Sequence, residues 1–288
     1  MLCCVLLLLC GCNRKTEKFK RVSFDVEALS VDVEKYIHEN TVVTNQVNTA
    51  FANQLPIYEI EKHEISDLEF QQMEKQLGIT DWYWNESDSN KVYSRIAPYS
   101  DPGRGYFYTL EMTDKELEHL AWDTFNKIPF LTGEYVYSGI TATMTGWSMD
   151  EGEFVTEVTV SFSRTLDGIR IVENDRCDLT FDASGLVELY ITLFDYQKIG
   201  TMDLVPLQDA TTRIKTPDYF HIDEDEATVS TLRVDEITIS LVNQFSRGCT
   251  VLQPIYTFWG TATLEDGNQS EFKSRIIAVP ETYTYEDK

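Results

Sequence analysis

The chain of 288 residues is 42% hydrophobic and 12% aromatic, enough apolar matter for one large or two ordinary packed domains and too much for a disordered chain. Its 48 acidic against 24 basic residues leave a net charge of -24, which is repelled by phosphate backbones and argues against DNA or RNA as partners. Anionic lipid headgroups repel such a body for the same reason.

The run from Met1 to Cys12 is apolar but falls far short of the roughly 20 residues that cross a bilayer. Followed at once by Arg14, Lys15, Lys18, Lys20 and Arg21, it reads as the apolar region of a signal peptide. Leu9, Cys10, Gly11 and Cys12 resemble the lipobox of bacterial lipoproteins, in which a small residue precedes a cysteine that is diacylated and becomes the mature N-terminus. That resemblance implies a lipid on Cys12 and an extracytoplasmic address, anchored to the cell membrane of a bacterium. Residues 13–21, with five bases and only Glu17 against them, then form a basic tether drawn to anionic headgroups.

Two segments carry helix-start signals. In ISDLEF, Ser66 is placed to cap a helix with Glu69 reaching back and Ile65 stapled onto Phe70; MTDKEL repeats the pattern with Thr113, Glu116, Met112 and Leu117. The first helix is expected to stop at Gly78, the second before Pro129. A strand-like stretch precedes each, LPIYEI from Leu55 and YFYTLEM from Tyr106, so the pair reads as a weak internal repeat.

After Pro129 the pattern turns to strands. FVTEVTVSFSR alternates from Phe154, Asp167–Gly168 offers a tight turn into IRIVE, and CDLTF leads through Gly185 into LVELYITLF, together an antiparallel meander. A short helix is expected from Pro206, with Leu207, Ala210 and Ile214 inward, and the acidic run Asp223–Ala227 as a surface loop. Strands follow from Ile237, from Thr250 and from Phe272, with Pro254 marking an edge position or a bulge. The expected class is α+β, antiparallel meanders with packed helices, in an N-terminal module over 22–105 and a C-terminal module over 106–288 after the signal peptide and lipobox (1–12) and the tether (13–21).

Motifs for chemistry are sparse. There is no GxSxG elbow, HExxH, P-loop or GxGxxG, and no CxxC beyond the leader, so the expectation is a protein that is not an enzyme and holds no cofactor. Cys177 and Cys249 are open to two readings, a disulfide or two buried thiols. In DYFHIDEDE, Asp218, His221, Asp223 and Asp225 are a candidate oxygen-rich metal set, read against a plain solvated loop. Trp82, Tyr83 and Trp84 are consecutive aromatics that cannot all face one core, and they are the candidate platform for a glycan or small ligand, read against a covering of both sides by the following loop.

LPIYEI with its capped helix, VTVSFSRTLDGIRI, the DLTFDASGLVELYI hairpin and VLQPIYTFWGTA follow an order that resembles extracytoplasmic regulators of the YycH and YycI type and the wider PepSY-like modules. The resemblance spans Leu55 to Val279 as a pattern and rests on no single specific motif. It implies two YycI-like modules, no catalytic residues and a regulatory role through a protein partner. The regulators are commonly held by a transmembrane helix, whereas this leader looks lipidated. The first expectation is thus a surface-anchored lipoprotein binding an envelope protein or peptide; the alternatives are a cell-wall glycan or small-ligand binding protein, and a secreted hydrolase built from scattered carboxylates.

Overall fold

The computed structural model describes residues 18–22, 37–45, 52–80, 82–87, 92–98, 105, 108–148, 152–222 and 228–285. Residues 1–12, with Cys12 as the expected lipid attachment site, and most of the expected tether fall outside them, as do Asp223 and Asp225. No helix among the described residues is long and apolar enough to cross a membrane.

Both main helices start where the caps were expected. Helix α1 (Asp67–Leu77) is opened by Ser66, whose hydroxyl accepts the Glu69 amide while the Glu69 carboxylate accepts the Ser66 amide; α2 (Asp114–Phe125) is opened in the same way by Thr113 and Glu116. Those hydrogen bonds hold both glutamates below the usual carboxylate range. Gly78, at φ +69, closes α1 with a left-handed cap that L side chains disfavour. At 11 and 12 residues neither helix would persist alone in water, so tertiary burial has to hold them. Met73, Leu117, Ala121 and Phe125 supply it.

The strands outweigh these helices. In chain order they are β1 (Phe19–Lys20), β2 (Ile37–Asn45), β3 (Gln54–Lys62), β4 (Tyr83–Ser87), β5 (Val92–Ile96), β6 (Glu134–Ser148), β7 (Gly152–Leu166), β8 (Ile169–Val172), β9 (Arg176–Asp182), β10 (Gly185–Thr192), β11 (Phe194–Asp203), β12 (Tyr219–Ile222), β13 (Val229–Val242), β14 (Gln253–Leu264), β15 (Gln269–Ile277) and β16 (Thr284–Tyr285). Against sixteen strands among the described residues stand α1, α2 and the six-residue α3 (Leu207–Thr212). The expected α+β class is therefore corrected: the fold is predominantly β, with mixed sheets and three short helices. The caps identify each helix but carry no information on how many strands surround it.

Twelve strands form one sheet, ordered β12-β15-β14-β13-β8-β7-β9-β10-β5-β4, with β2 added on β13 and β6 on β7. The four-residue β8 joins its two parts. It shares only two residue pairs with β7 beyond the Asp167–Gly168 turn, then runs parallel to β13 through Ile171–Leu241 and Val172–Val242. β9 therefore pairs with β7 directly, over Glu157–Ser163, so the simple meander expected from Phe154 onward is not what forms. The ribbons β3–β11, antiparallel, and β1–β16, parallel, lie outside this sheet.

Each part of the sheet has its own core. Val160, Phe162, Leu179, Phe181, Leu189 and Ile191 meet α1 and α2. Leu232, Val234, Tyr256, Phe258, Phe272 and Ile276 meet Met202 of β11 and Ala210 of α3. Tyr58, Ile60, Ile171, Phe194, Leu241 and Leu252 form a third cluster where the two parts join. A fully buried side chain of this kind contributes about 1.5–3 kcal/mol, so these positions dominate stability.

Two smaller expectations are revised, and of the two readings left open for the cysteines one is found. Tyr108 to Thr113 is not a strand, so the strand and helix unit does not repeat; Leu110 makes one backbone bond, to Val155, at 2.8 Å. Pro254 lies in an interior strand, tolerated because it is the second residue of β14, ahead of the first β15 pair at Ile255. Cys177 and Cys249 are buried thiols that form no disulfide, one in each core.

Candidate functional site

The β6–β7 hairpin is the feature of the fold most open to another molecule. β7 is flanked by β6 on one side and by β8 and β9 on the other, whereas among the described residues β6 pairs with β7 alone over its 15 residues. An edge strand leaves part of its backbone N–H and C=O groups without a ladder partner, which makes it a template for another strand. Natural edges are usually blunted by lysines, prolines or shortness. β6 has no Lys, Arg or Pro, and its one charged residue is Glu134 at its start, in a chain of which 25% is charged. Register shifts at three places and Gly139 at φ +92 bend the edge without covering it.

Apolar side chains stand exposed along both faces of this edge. Val136 is 39% exposed, Ile140 42%, Met144 47% and Trp147, near the hairpin tip, 72%. Direct cross-strand partners share a face. Ile140 pairs with Val160, on the helix-side face, while Val136 pairs with Ser163 and Met144 with Glu157, on the opposite face. A strand laid beside β6 would shield apolar groups on both sides at once.

A buried polar cluster holds the foot of the hairpin. The Arg164 guanidinium donates to the Phe194 carbonyl at 2.6 Å, stacks on Tyr196 with 5.1 Å to its ring centroid, and lies 3.9 Å from Asp175. The Tyr196 hydroxyl donates to Asp175 at 2.5 Å and accepts from the Asn243 side chain at 3.0 Å, which ties β7, β11 and the end of β13 together. The Tyr135 hydroxyl and Asp175 Oδ1 are buried without a hydrogen-bond partner among the described residues. Burial pushes the Asp175 carboxyl up to about 7, against the Tyr196 hydrogen bond and the Arg164 charge, which pull it down. Burial also raises Tyr135 and Tyr196, with the nearby Asp175 charge adding to each.

The residues singled out in the sequence lie elsewhere. Trp82 is half-buried and packs against the helix-side core; Tyr83 and Trp84 open β4 in register with Ile96 and Arg95 of β5, and their side chains lie outside what is described. Asp218 is engaged by Arg213 at 3.0 Å, by the Ile277 amide at 2.7 Å and by Arg21 at 3.6 Å. His221 is exposed on β12, and Asp223 and Asp225 fall outside the described residues. Among the described residues no group of three or more His, Cys, Asp or Glu is placed to hold a metal ion.

Sequence reading passed over β6 altogether. The signal present was its Tyr, Val, Ile and Thr content; Gly139, Gly146 and the three register shifts break the period-2 alternation that would have marked it. No protein-family model matches the chain, and no curated protein matches it.

Proposed function

We propose that this protein is a non-enzymatic binding module that takes an extended segment of an envelope protein or peptide along the outer edge of β6. The observation that carries the reading is a 15-residue edge strand with a single charge and four exposed apolar side chains. Backbone pairing would supply affinity and the apolar positions on the two faces selectivity, as in strand-addition recognition. The net charge of -24 favours a neutral or basic segment over an acidic one.

In this reading a lipid on Cys12 holds the body outside the bacterial cell. Phe19 packs against the core, β1 pairs with β16, and Arg21 lies 3.6 Å from Asp218 and 3.8 Å from Glu281, so the described part of the basic segment is docked on the body. From Cys12 to Lys18 the chain spans at most about 20 Å, and the partner therefore lies close to the membrane face. A regulatory role of the kind implied by the resemblance to YycH and YycI fits that position and is part of the proposal.

Photocrosslinking in intact cells tests it. A photoreactive residue in place of Ala142 on β6 is expected to capture a defined envelope protein or peptide, and the same probe in place of Glu271 on β15 is not. Adding Ile140→Lys is expected to abolish capture. Equal products from both positions, or none from Ala142, would overturn the reading.

A further inference from the structure

The cleft on the polar face of the large sheet reaches Ser138 and Thr141 of β6, but its cations come from other strands. Residues of β15, β14, β13, β8, β7 and β6, with Glu173 and Asp175 after β8 and Arg176 at the start of β9, line a cavity of ≈ 650 Å³. Strand alternation produces it: Tyr256, Phe258, Phe272 and Ile276 face the core, while Thr257, Trp259, Lys273 and Arg275 face the cleft. Register aligns these into two rows across three strands, Glu236–Trp259–Lys273 and Thr238–Thr257–Arg275. From the other part of the sheet come Arg170 and the hydroxyls of Ser138, Ser161 and Ser163.

With Arg170, Arg176, Lys273 and Arg275 against Glu173, Asp175 and Glu236, the cleft has a small excess of cations in a molecule of net charge -24. In a chain with twice as many acids as bases, Arg170 has no carboxylate within ion-pair distance among the described residues; one of its terminal nitrogens donates to Ser138 at 2.9 Å and Ser163 at 3.0 Å. The Lys273 ammonium sits 4.5 Å from the Trp259 ring centroid and makes no hydrogen bond or ion pair with a described residue. Arg275 is paired with Glu173 at 3.2 Å. Burial pushes Lys273 down to about 8, with Arg275 and Arg170 adding repulsion and Glu173 opposing them. Burial likewise lowers Arg170. Arg170 and Lys273 are partly buried without an ion-pair partner among the described residues, which is costly, and an arriving anion would offset that cost.

We infer that this cleft binds a hydroxyl-rich anion of one- or two-sugar size, a sugar acid or a sugar phosphate, with its anionic group between Arg170 and Lys273 and its hydroxyls against Thr238, Ser240 and Thr257. The volume lies within the range typical of small-ligand sites. The hydroxyl-lined floor suits a polyol better than a bare inorganic ion, because each ligand hydroxyl meets a group that both donates and accepts. Carboxylate and phosphate satisfy the two cations alike, so the charge and the hydroxyls define the ligand class.

Calorimetric titration of the full chain with galacturonic acid, glucose 6-phosphate, glucose and inorganic phosphate tests the inference. At least one of the two sugar anions is expected to saturate, with glucose and inorganic phosphate each about ten-fold weaker or more. Lys273→Met and Arg170→Met are each expected to weaken that binding by about 10-fold to 100-fold, the scale of a lost hydrogen bond to a charged group. Thr257→Val keeps both cations and is expected to weaken it only a few-fold. Thermal melting of each variant shows whether it is folded. Absence of saturation by both sugar anions, unchanged affinity in folded Lys273→Met, or glucose binding as tightly as the anions would overturn it.

Discussion

The β13–β14 and β6–β7 hairpins are built alike and treated differently. Both are long and antiparallel, with strands of 14 and 12 residues in the first and 15 and 15 in the second. β13 is flanked by β2 and β8 on its far edge and β14 by β15, so Leu232, Val234, Tyr256 and Phe258 are shut away from water. β6 has no such neighbour among the described residues, and its apolar side chains stay exposed although its composition is that of a covered strand. What separates the two is the supply of neighbouring strands. An edge that reads like an interior strand is a template on which another strand can pair.

Substitutions in the two hairpins sharpen that contrast. The largest effect is expected at Phe258, fully buried between β13 and β15: Phe258→Ala should cost about 3–5 kcal/mol in urea unfolding, and a loss under about 1 kcal/mol would show that this hairpin is no better packed than the other. Gly260→Ala should follow, because its Cβ would stand 1.9 Å from the Arg233 carbonyl oxygen across the β13–β14 bulge. The backbone must shift, at about 1–3 kcal/mol, measured by the same unfolding.

Asp175, under the foot of the open hairpin, gives the next effect. Its folded-state pKa of about 7 lies above the unfolded value near 3.8, so the stabilisation from its protonated form is complete below about pH 4 and is lost as pH rises through 7. Asp175→Asn stays neutral and keeps an oxygen for Tyr196. It should therefore be more stable than the parent by about 1 kcal/mol or more at pH 8, with the advantage shrinking toward pH 4. An equal difference at both pH values would show that Asp175 does not titrate in this range. Smallest is Ile140→Ala, exposed on β6, expected within about 0.5 kcal/mol of the parent in the same unfolding experiment. A loss as large as that of Phe258→Ala would mean that β6 is covered.

Local features were legible in the sequence and distant ones were not. Ser66 with Glu69 and Thr113 with Glu116 are complete signals within four residues, and both caps form. The Asp167–Gly168 turn was equally readable, with both residues at positive φ. The continuity of the sheet was hidden because it depends on Ile171 and Val172 meeting Leu241 and Val242, which lie 70 residues further on. Without that junction the strands read as separate meanders beside helices, and the class comes out as α+β. The cleft was half-visible: Lys273 and Arg275, two apart on one strand, must share a face, but nothing local brings Arg170 to them. Pro254 misled because its position along β14, ahead of the first β15 pair, matters more than its presence in the strand.

Amide hydrogen exchange along β6, read residue by residue on the full chain without a partner, tests most directly whether the strand has an open side. The expected result is fast exchange at the β6 amides that do not bond to β7, while Ile255 to Thr261 of β14 stay protected throughout. Uniform protection of Tyr137 to Thr145, equal to that of β14, would contradict it and leave no edge for a partner strand to join.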